Sequence, residues 1–174
     1  RFSMIWARVA GVPRPRPAAR ELARVSWVDT KRLGLFGWSY GGFLAARAAL
    51  DGSSPFAAHA AVAPVTDFAL YDTHYTERYL GMPDGGKAPA YAQTNLSARA
   101  KALNRPLLLV HGTADDNVLF ENTLRLTEAL QHEGKLFELM IYPGKAHGIA
   151  GKDAQLHVFK TVTAFFDDEL RPRN

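Results

Sequence analysis

One pattern recurs four times along this chain and restricts its fold more than any other feature. A short apolar run ends at Gly or Pro, and a longer stretch with helical spacing comes after it. The runs "RLGLFG" (Arg32 to Gly37), "HAAVAPV" (His59 to Val65), "RPLLLVHG" (Arg105 to Gly112) and "KLFELMIYP" (Lys135 to Pro143) read as strands. The segments "GGFLAARAALDG", "YDTHYTERYLG", "LSARAKALN" and "ENTLRLTEALQHEG" read as helices or helical turns. A last helix, from about Ala154 to Leu170, carries Leu156, Phe159, Val162, Phe165 and Phe166 at helical spacing, the pattern of a face packed on a sheet. Such alternation predicts the α/β class: a mostly parallel, buried sheet with helices on its faces. In sheets of this kind the chemistry gathers beyond the carboxyl ends of the strands.

The 174 residues, 47% of them hydrophobic, suffice for one domain with a substantial core. No run approaches the roughly 18 apolar residues of a membrane-spanning helix, so neither a membrane nor an export signal is expected in this stretch. The absence of cysteine excludes disulfides, thiolate catalysis and Cys-ligated zinc, and leaves the compartment open. The net charge of +4 is unevenly spread: residues 1–32 carry +6 and the remainder −2. Because the surplus sits in "GVPRPRPAAR" and not over a folded face with interleaved aromatics, no nucleic-acid partner is expected. Pro13, Pro15 and Pro17 argue against a helix there, so residues 1–25 read as an irregular start, with room for a helix ending near Val25 and a turn around Asp29. Residues 26–174 then form the folded unit.

Gly37-Trp38-Ser39-Tyr40-Gly41 matches G-x-S-x-G in the context that motif requires, between an apolar strand and a helix. A sharp strand-to-helix turn strains the serine backbone and brings neighbouring chain close, which explains glycine on either side. It also sets the hydroxyl at a helix N-terminus, where backbone N–H groups can meet an oxyanion. The competing reading is a serine that merely caps the helix.

A serine hydroxyl needs a base and an acid to orient it. In the order Ser, acid, His, each just after a strand, "HGTADDNV" offers Asp115 and Asp116 and "GKAHGI" offers His147. Of the six histidines, His59, His74, His132 and His157 read as packed or solvated, and His111 as holding the turn before Gly112. The histidines show no paired helical spacing, so no metal site and no cofactor is expected.

Taken in order, "GWSYGG", "YDTHYTERYLG", "HGTADDNV" and "HGI" resemble the catalytic domain of the prolyl oligopeptidase family, and closely its dipeptidyl peptidase IV branch. The resemblance runs from about Trp27 to Leu170 and implies an α/β-hydrolase fold, here in part, with the strands before the nucleophile strand missing. It implies Ser39 as nucleophile, Asp115 rather than Asp116 as the acid, His147 as general base, and the Tyr40 backbone N–H as an oxyanion donor. It further implies a proline pocket lined by Tyr71 and Tyr75 and closed by Val65, Phe68 and Val118, with Trp38 beside the nucleophile and Asn117 on a substrate carbonyl. The substrate so implied is a peptide cleaved after proline or alanine. Aromatic walls bury the compact proline ring without stranding an N–H. Without the resemblance, the "YDTHYTERYLG" aromatics read equally as a core-facing helix side, and Glu77 and Arg78 as an ion pair or surface charges.

The resemblance also implies what lies elsewhere in such an enzyme: a second oxyanion donor from a tyrosine in an earlier part, paired glutamates on a β-propeller that hold the substrate's amino terminus, and a homodimer joined through the last helix. Bacterial relatives of this kind are expected in the periplasm or outside the cell. The Arg/Pro/Ala-rich start replaces a family helix with acidic and aliphatic residues, as a shifted reading frame or a junction would. Two other functions fit the same residues: a carboxylesterase or lipase using the same triad, and an inactive remnant that persists as a binding module.

Overall fold

The computed structural model describes residues 15–83 and 89–172. In chain order its elements are α1 (Pro15–Leu22), β1 (Gly34–Trp38), α2 (Tyr40–Ala49), β2 (Ala58–Val62), α3 (Thr73–Leu80), α4 (Pro89–Thr94), β3 (Leu107–Gly112), α5 (Glu121–His132), β4 (Glu138–Tyr142) and α6 (Lys152–Glu169). The four strands form one sheet in the order β1-β2-β3-β4, every pair parallel. Register brings Trp38 opposite Val62, Val62 opposite Val110, and Gly112 opposite Tyr142. The chain therefore leaves all four strands at one edge.

Two apolar layers flank the sheet. On one face Leu35, Ala61, Leu107 and Leu109 pack with Phe43 to Leu50 of the α2 region and with Leu126 and Leu130 of α5. On the other, Phe36, Ala60, Val62, Leu108 and Val110 pack with Val158, Val162, Phe165 and Phe166 of α6. The central strands β2 and β3 are buried throughout, as a strand covered on both faces must be. Small side chains in α2 (Ala45, Ala46, Ala48, Ala49) let that helix lie close against β1 and β2.

Several sequence expectations are corrected. Of the start that reads as irregular, residues 1–14 lie outside the described residues, but Pro15–Leu22 form the helix α1. Pro15 and Pro17 fall in its first turn, where a backbone N–H would have no helical partner and the fixed proline φ already suits a helix. β4 is not a buried strand: Leu139 and Ile141 are half-exposed at the sheet edge. In α6 the buried stripe is Val158, Val162, Phe165 and Phe166, whereas Leu156 is exposed and Phe159 sits at the margin, its ring 6.3 Å from that of Phe36 yet still exposed. "LSARAKALN" forms a 3-10 helix, Ser97–Ala102, in keeping with the helical turn expected there, whereas α4 is a helix that the sequence pattern does not signal.

His59, at the start of β2, is fully buried; its Nε2 lies 2.9 Å from Ser54 Oγ, and its Nδ1 finds no partner among the described residues. Burial, aided by the charge of Arg105, lowers its pKa to about 4. The unfolded chain therefore binds more protons than the folded one between the ordinary histidine pKa, about 6.5, and that lowered value. Stability is full above pH 6.5 or so and is lost as the pH falls toward 4. Urea unfolding at pH 7.5 and pH 5 should show a loss of about 2 kcal/mol from this group, and His59→Gln should remove that part of the pH dependence.

Candidate active site

Ser39 follows β1 directly and precedes α2, with φ 59° and ψ −120°. A non-glycine residue on the positive-φ side costs about 1–3 kcal/mol and persists only where its surroundings hold it. Here Ser39 N–H donates to Val62 O on β2 (2.8 Å), and Phe43 N–H donates to Ser39 O (2.9 Å). The Ser39 side chain makes no hydrogen bond to the helix it precedes, so it does not serve as a cap. Gly37 is crowded as expected, since a Cβ there would run into the Gly41 carbonyl. The expectation for Gly41 is corrected: a Cβ on Gly41 would meet nothing within 4 Å. The second crowded position is Gly42, whose Cβ would lie 2.6 Å from Val62 O.

Two further loops leave the same edge. Asp115 follows β3 and is buried, while Asp116 beside it is exposed. His147 follows β4, its side chain 22% exposed, and its Nδ1–H donates to Asp115 Oδ2 at 2.8 Å. The other carboxylate oxygen accepts from the Asn117 and Val118 backbone N–H groups at 3.1 and 2.9 Å. Main-chain contacts lace the loops together. Ala114 N–H donates to Lys145 O (3.0 Å), Gly144 N–H to Thr113 Oγ1 (2.8 Å), and a Cβ on Gly112 would overlap the Lys145 carbonyl. The Trp38 indole N–H donates to His147 O at 3.0 Å and ties the residue before Ser39 to the histidine loop. Among the described residues the non-glycine positions with positive φ are Ser39, Ala63 and Ile149, all beside these strand ends.

The aromatic residues form a contiguous group next to Ser39. Phe68 stacks on Tyr75 (centroids 6.5 Å apart) and meets Tyr71 and Tyr40 edge-on, and Tyr71 meets Tyr75 edge-on at 5.5 Å. Val65, Phe68 and Val118 are buried in the same apolar cluster, with Tyr40 and Tyr71 packed against it. Tyr71 O–H donates to Asn117 Oδ1 at 3.0 Å. Burial raises the pKa of Tyr40, Tyr71 and Tyr75, with the Asp72 carboxylate adding to it at Tyr71 and Tyr75 and Arg47 opposing it at Tyr40. Asp72 caps α3 by accepting from Tyr75 N–H (2.9 Å), and Arg78 lies over the Tyr79 ring.

A family model described as the prolyl oligopeptidase family matches residues 17–173. The chain belongs to the prolyl oligopeptidase family. The match begins upstream of Trp27 and takes in part of the start that reads as irregular in sequence. Among curated relatives, dipeptidyl peptidase 4 of Bos taurus is 37% identical over 150 residues, 85% of this chain and 20% of that protein. Venom dipeptidyl peptidase 4 of Apis mellifera is 38% identical over 146 residues, 82% of this chain and 19% of that protein. The crystal structure of Porphyromonas gingivalis dipeptidyl peptidase 4 superposes with a TM-score of 0.81 at 38% identity, over 87% of this chain and 22% of that one. The chain thus spans about a fifth of the length of the relatives it matches, and its four parallel strands are part of an α/β-hydrolase fold.

The structure joins His147 to Asp115, ties Trp38, the neighbour of Ser39, to the His147 carbonyl, and groups Phe68, Tyr71 and Tyr75 with Tyr40, with Asn117 on Tyr71; among the described residues it gives no hydrogen bond between the Ser39 side chain and His147. Sequence reasoning misses two residues. Gly112 is the point where the acid and histidine loops touch, and His111 faces Asp115 as well as its own turn. The signal is present only as "HG" at the strand end, which a simple turn explains equally well.

Two alanine substitutions should separate crowded from open glycines. Gly112→Ala forces the Lys145 carbonyl away and should destabilise the chain by about 1–3 kcal/mol in urea unfolding. Gly41→Ala, inside α2 with open space around it, should be neutral or stabilising by up to about 1 kcal/mol.

Proposed function

We propose that this chain carries the catalytic centre of a serine peptidase that removes dipeptides ending in proline or alanine from peptide N-termini. The observation that carries the reading is the strained Ser39 turn facing a loop whose histidine is held by a buried carboxylate. His147 Nε2 takes the Ser39 hydroxyl proton as Oγ attacks the substrate carbonyl carbon, and the imidazolium so formed is stabilised through Nδ1–H by Asp115. The developing oxyanion meets the Tyr40 N–H, which lies in the first turn of α2 and so has no partner within the helix. Collapse expels the amine, which takes the proton from His147. Water then attacks the acyl-enzyme by the same route, its proton passing to His147 and back to Ser39 Oγ, and releases the dipeptide.

Proline would pack against the Tyr71, Tyr75 and Phe68 aromatic group, where no N–H of its own is left unpaired. Because Asn117 Oδ1 accepts from Tyr71, the Asn117 amide N–H groups are left to donate to a substrate carbonyl. The similarity to relatives about five times longer supports assigning amino-terminus recognition to a β-propeller and the second oxyanion donor to another part of the polypeptide. In a homodimer joined through the last helix, the exposed Leu156 and Phe159 of α6 are residues the partner would cover.

In the intact polypeptide a fluorophosphonate should label Ser39, and Ser39→Ala should abolish labelling and lower Gly-Pro-anilide hydrolysis by on the order of 10⁶. Turnover of p-nitrophenyl esters with no hydrolysis of Gly-Pro-anilide would make the protein an esterase. No labelling at all would make it a binding module.

A further inference from the structure

His111 reads in sequence as part of a turn, but its imidazole is fully buried and aimed at the acid loop. Its Nε2 lies 3.1 Å from Asp115 Oδ2 and 2.9 Å from the Val118 carbonyl, and its Nδ1 lies 2.7 Å from Thr123 Oγ1 on α5. Both neighbours of Nε2 are acceptors, so Nε2 carries the proton and shares it between them. Burial lowers the His111 pKa, favouring the neutral ring, which leaves Nδ1 an acceptor for the Thr123 hydroxyl. The two acceptors at Nε2 set the tautomer, and the Thr123 hydroxyl supports it by donating to Nδ1. The Phe120 ring lies edge-on to the imidazole at 5.5 Å and closes its remaining side.

The consequence falls on Asp115. A carboxylate offers about four lone-pair sites. Asn117 and Val118 N–H groups take one oxygen, His147 Nδ1–H the other, and His111 Nε2–H supplies the fourth donor, on the same oxygen that His147 uses. We propose that His111 is a positioning residue: by completing the donor set around Asp115 it fixes the carboxylate oxygen to which His147 is bound. This rests on Asp115 and His147 acting as the acid and base of the proposed mechanism. With four donors in place the carboxylate has no free rotation to trade one partner for another, and the His147 ring keeps one tautomer, its Nε2 left unprotonated for the Ser39 hydroxyl of the proposed mechanism.

Two readouts test this, one of which needs no activity. The first is the proton NMR signal and solvent exchange of the His147 Nδ1–H. The second is the rate of fluorophosphonate labelling in the intact polypeptide. His111→Leu, which fills the space but donates nothing, should abolish the protected His147 signal and slow labelling about 10- to 100-fold. His111→Gln places an amide N–H near the Nε2 position and should retain the signal, with labelling within about threefold of the parent. Thr123→Val, which keeps the shape and removes the hydroxyl that holds Nδ1, should speed exchange of the His147 proton without unfolding the chain. Equal effects of the Leu and Gln variants, or an unchanged His147 signal in both His111→Leu and Thr123→Val, would overturn the proposal. If no variant and not even the parent is labelled, the peptidase reading fails, while the NMR comparison still decides the role of His111.

Discussion

A parallel sheet obliges every connection to return over one of its faces, so all strands end at the same edge. In this chain that constraint decides where function can sit. Trp38, Val62, Val110 and Met140 lie in register across the sheet, and the chain leaves the four strands on the same side of that row, at Ser39, Ala63, Thr113 and Pro143. Residues more than a hundred positions apart are thereby delivered to one place by backbone hydrogen bonding alone. The side chains then need only local turns to meet.

Those turns are where strain and close packing concentrate. Ser39, Ala63 and Ile149 adopt positive φ without being glycine, and Ile149 is β-branched, which makes its conformation the costliest of the three. Each is held by the surrounding core: Ser39 through Val62 O, Ala63 through Val110 O, and Ile149 by complete burial against the α6 side of the sheet. The loops beyond β3 and β4 are joined through Thr113, Ala114, Gly144 and Lys145, and through the Trp38 indole. A site assembled in this way is stiff because its parts brace one another, and a change at Gly112 is felt at His147.

Much of this is legible in the sequence, for identifiable reasons. Apolar runs ended by Gly or Pro mark the four strands, since central parallel strands must be apolar on both faces. The order of Ser39, Asp115 and His147, each just after a strand, is readable because parallel topology makes strand ends converge. What the sequence hides depends on three-dimensional neighbours. β4 is apolar by composition yet lies at an edge, and only its pairing reveals that. The stripe through Leu156 and Phe159 has helical spacing but lies at the margin of the packed face, Leu156 in solvent and Phe159 against Phe36 at the edge of β1, because the buried face of α6 is set by Val158, Val162 and Phe165. Prolines that read as helix breakers open α1 instead, since in a first turn they cost nothing. His111 cannot be told from a turn residue until the chain after β3 folds back over it and α5 brings Thr123 to its other nitrogen.

The proposed peptidase function rests on Ser39, held in its strained turn, as the nucleophile served by His147 and Asp115 beside an aromatic pocket for proline. The most direct measurement is a crystal structure of the intact polypeptide after reaction with a Gly-Pro diphenyl phosphonate. Phosphorus is expected bonded to Ser39 Oγ, with a phosphonyl oxygen facing the Tyr40 N–H and the proline-derived ring against Tyr71 and Tyr75. An adduct on any other residue, or a ring lodged away from those tyrosines, would contradict it.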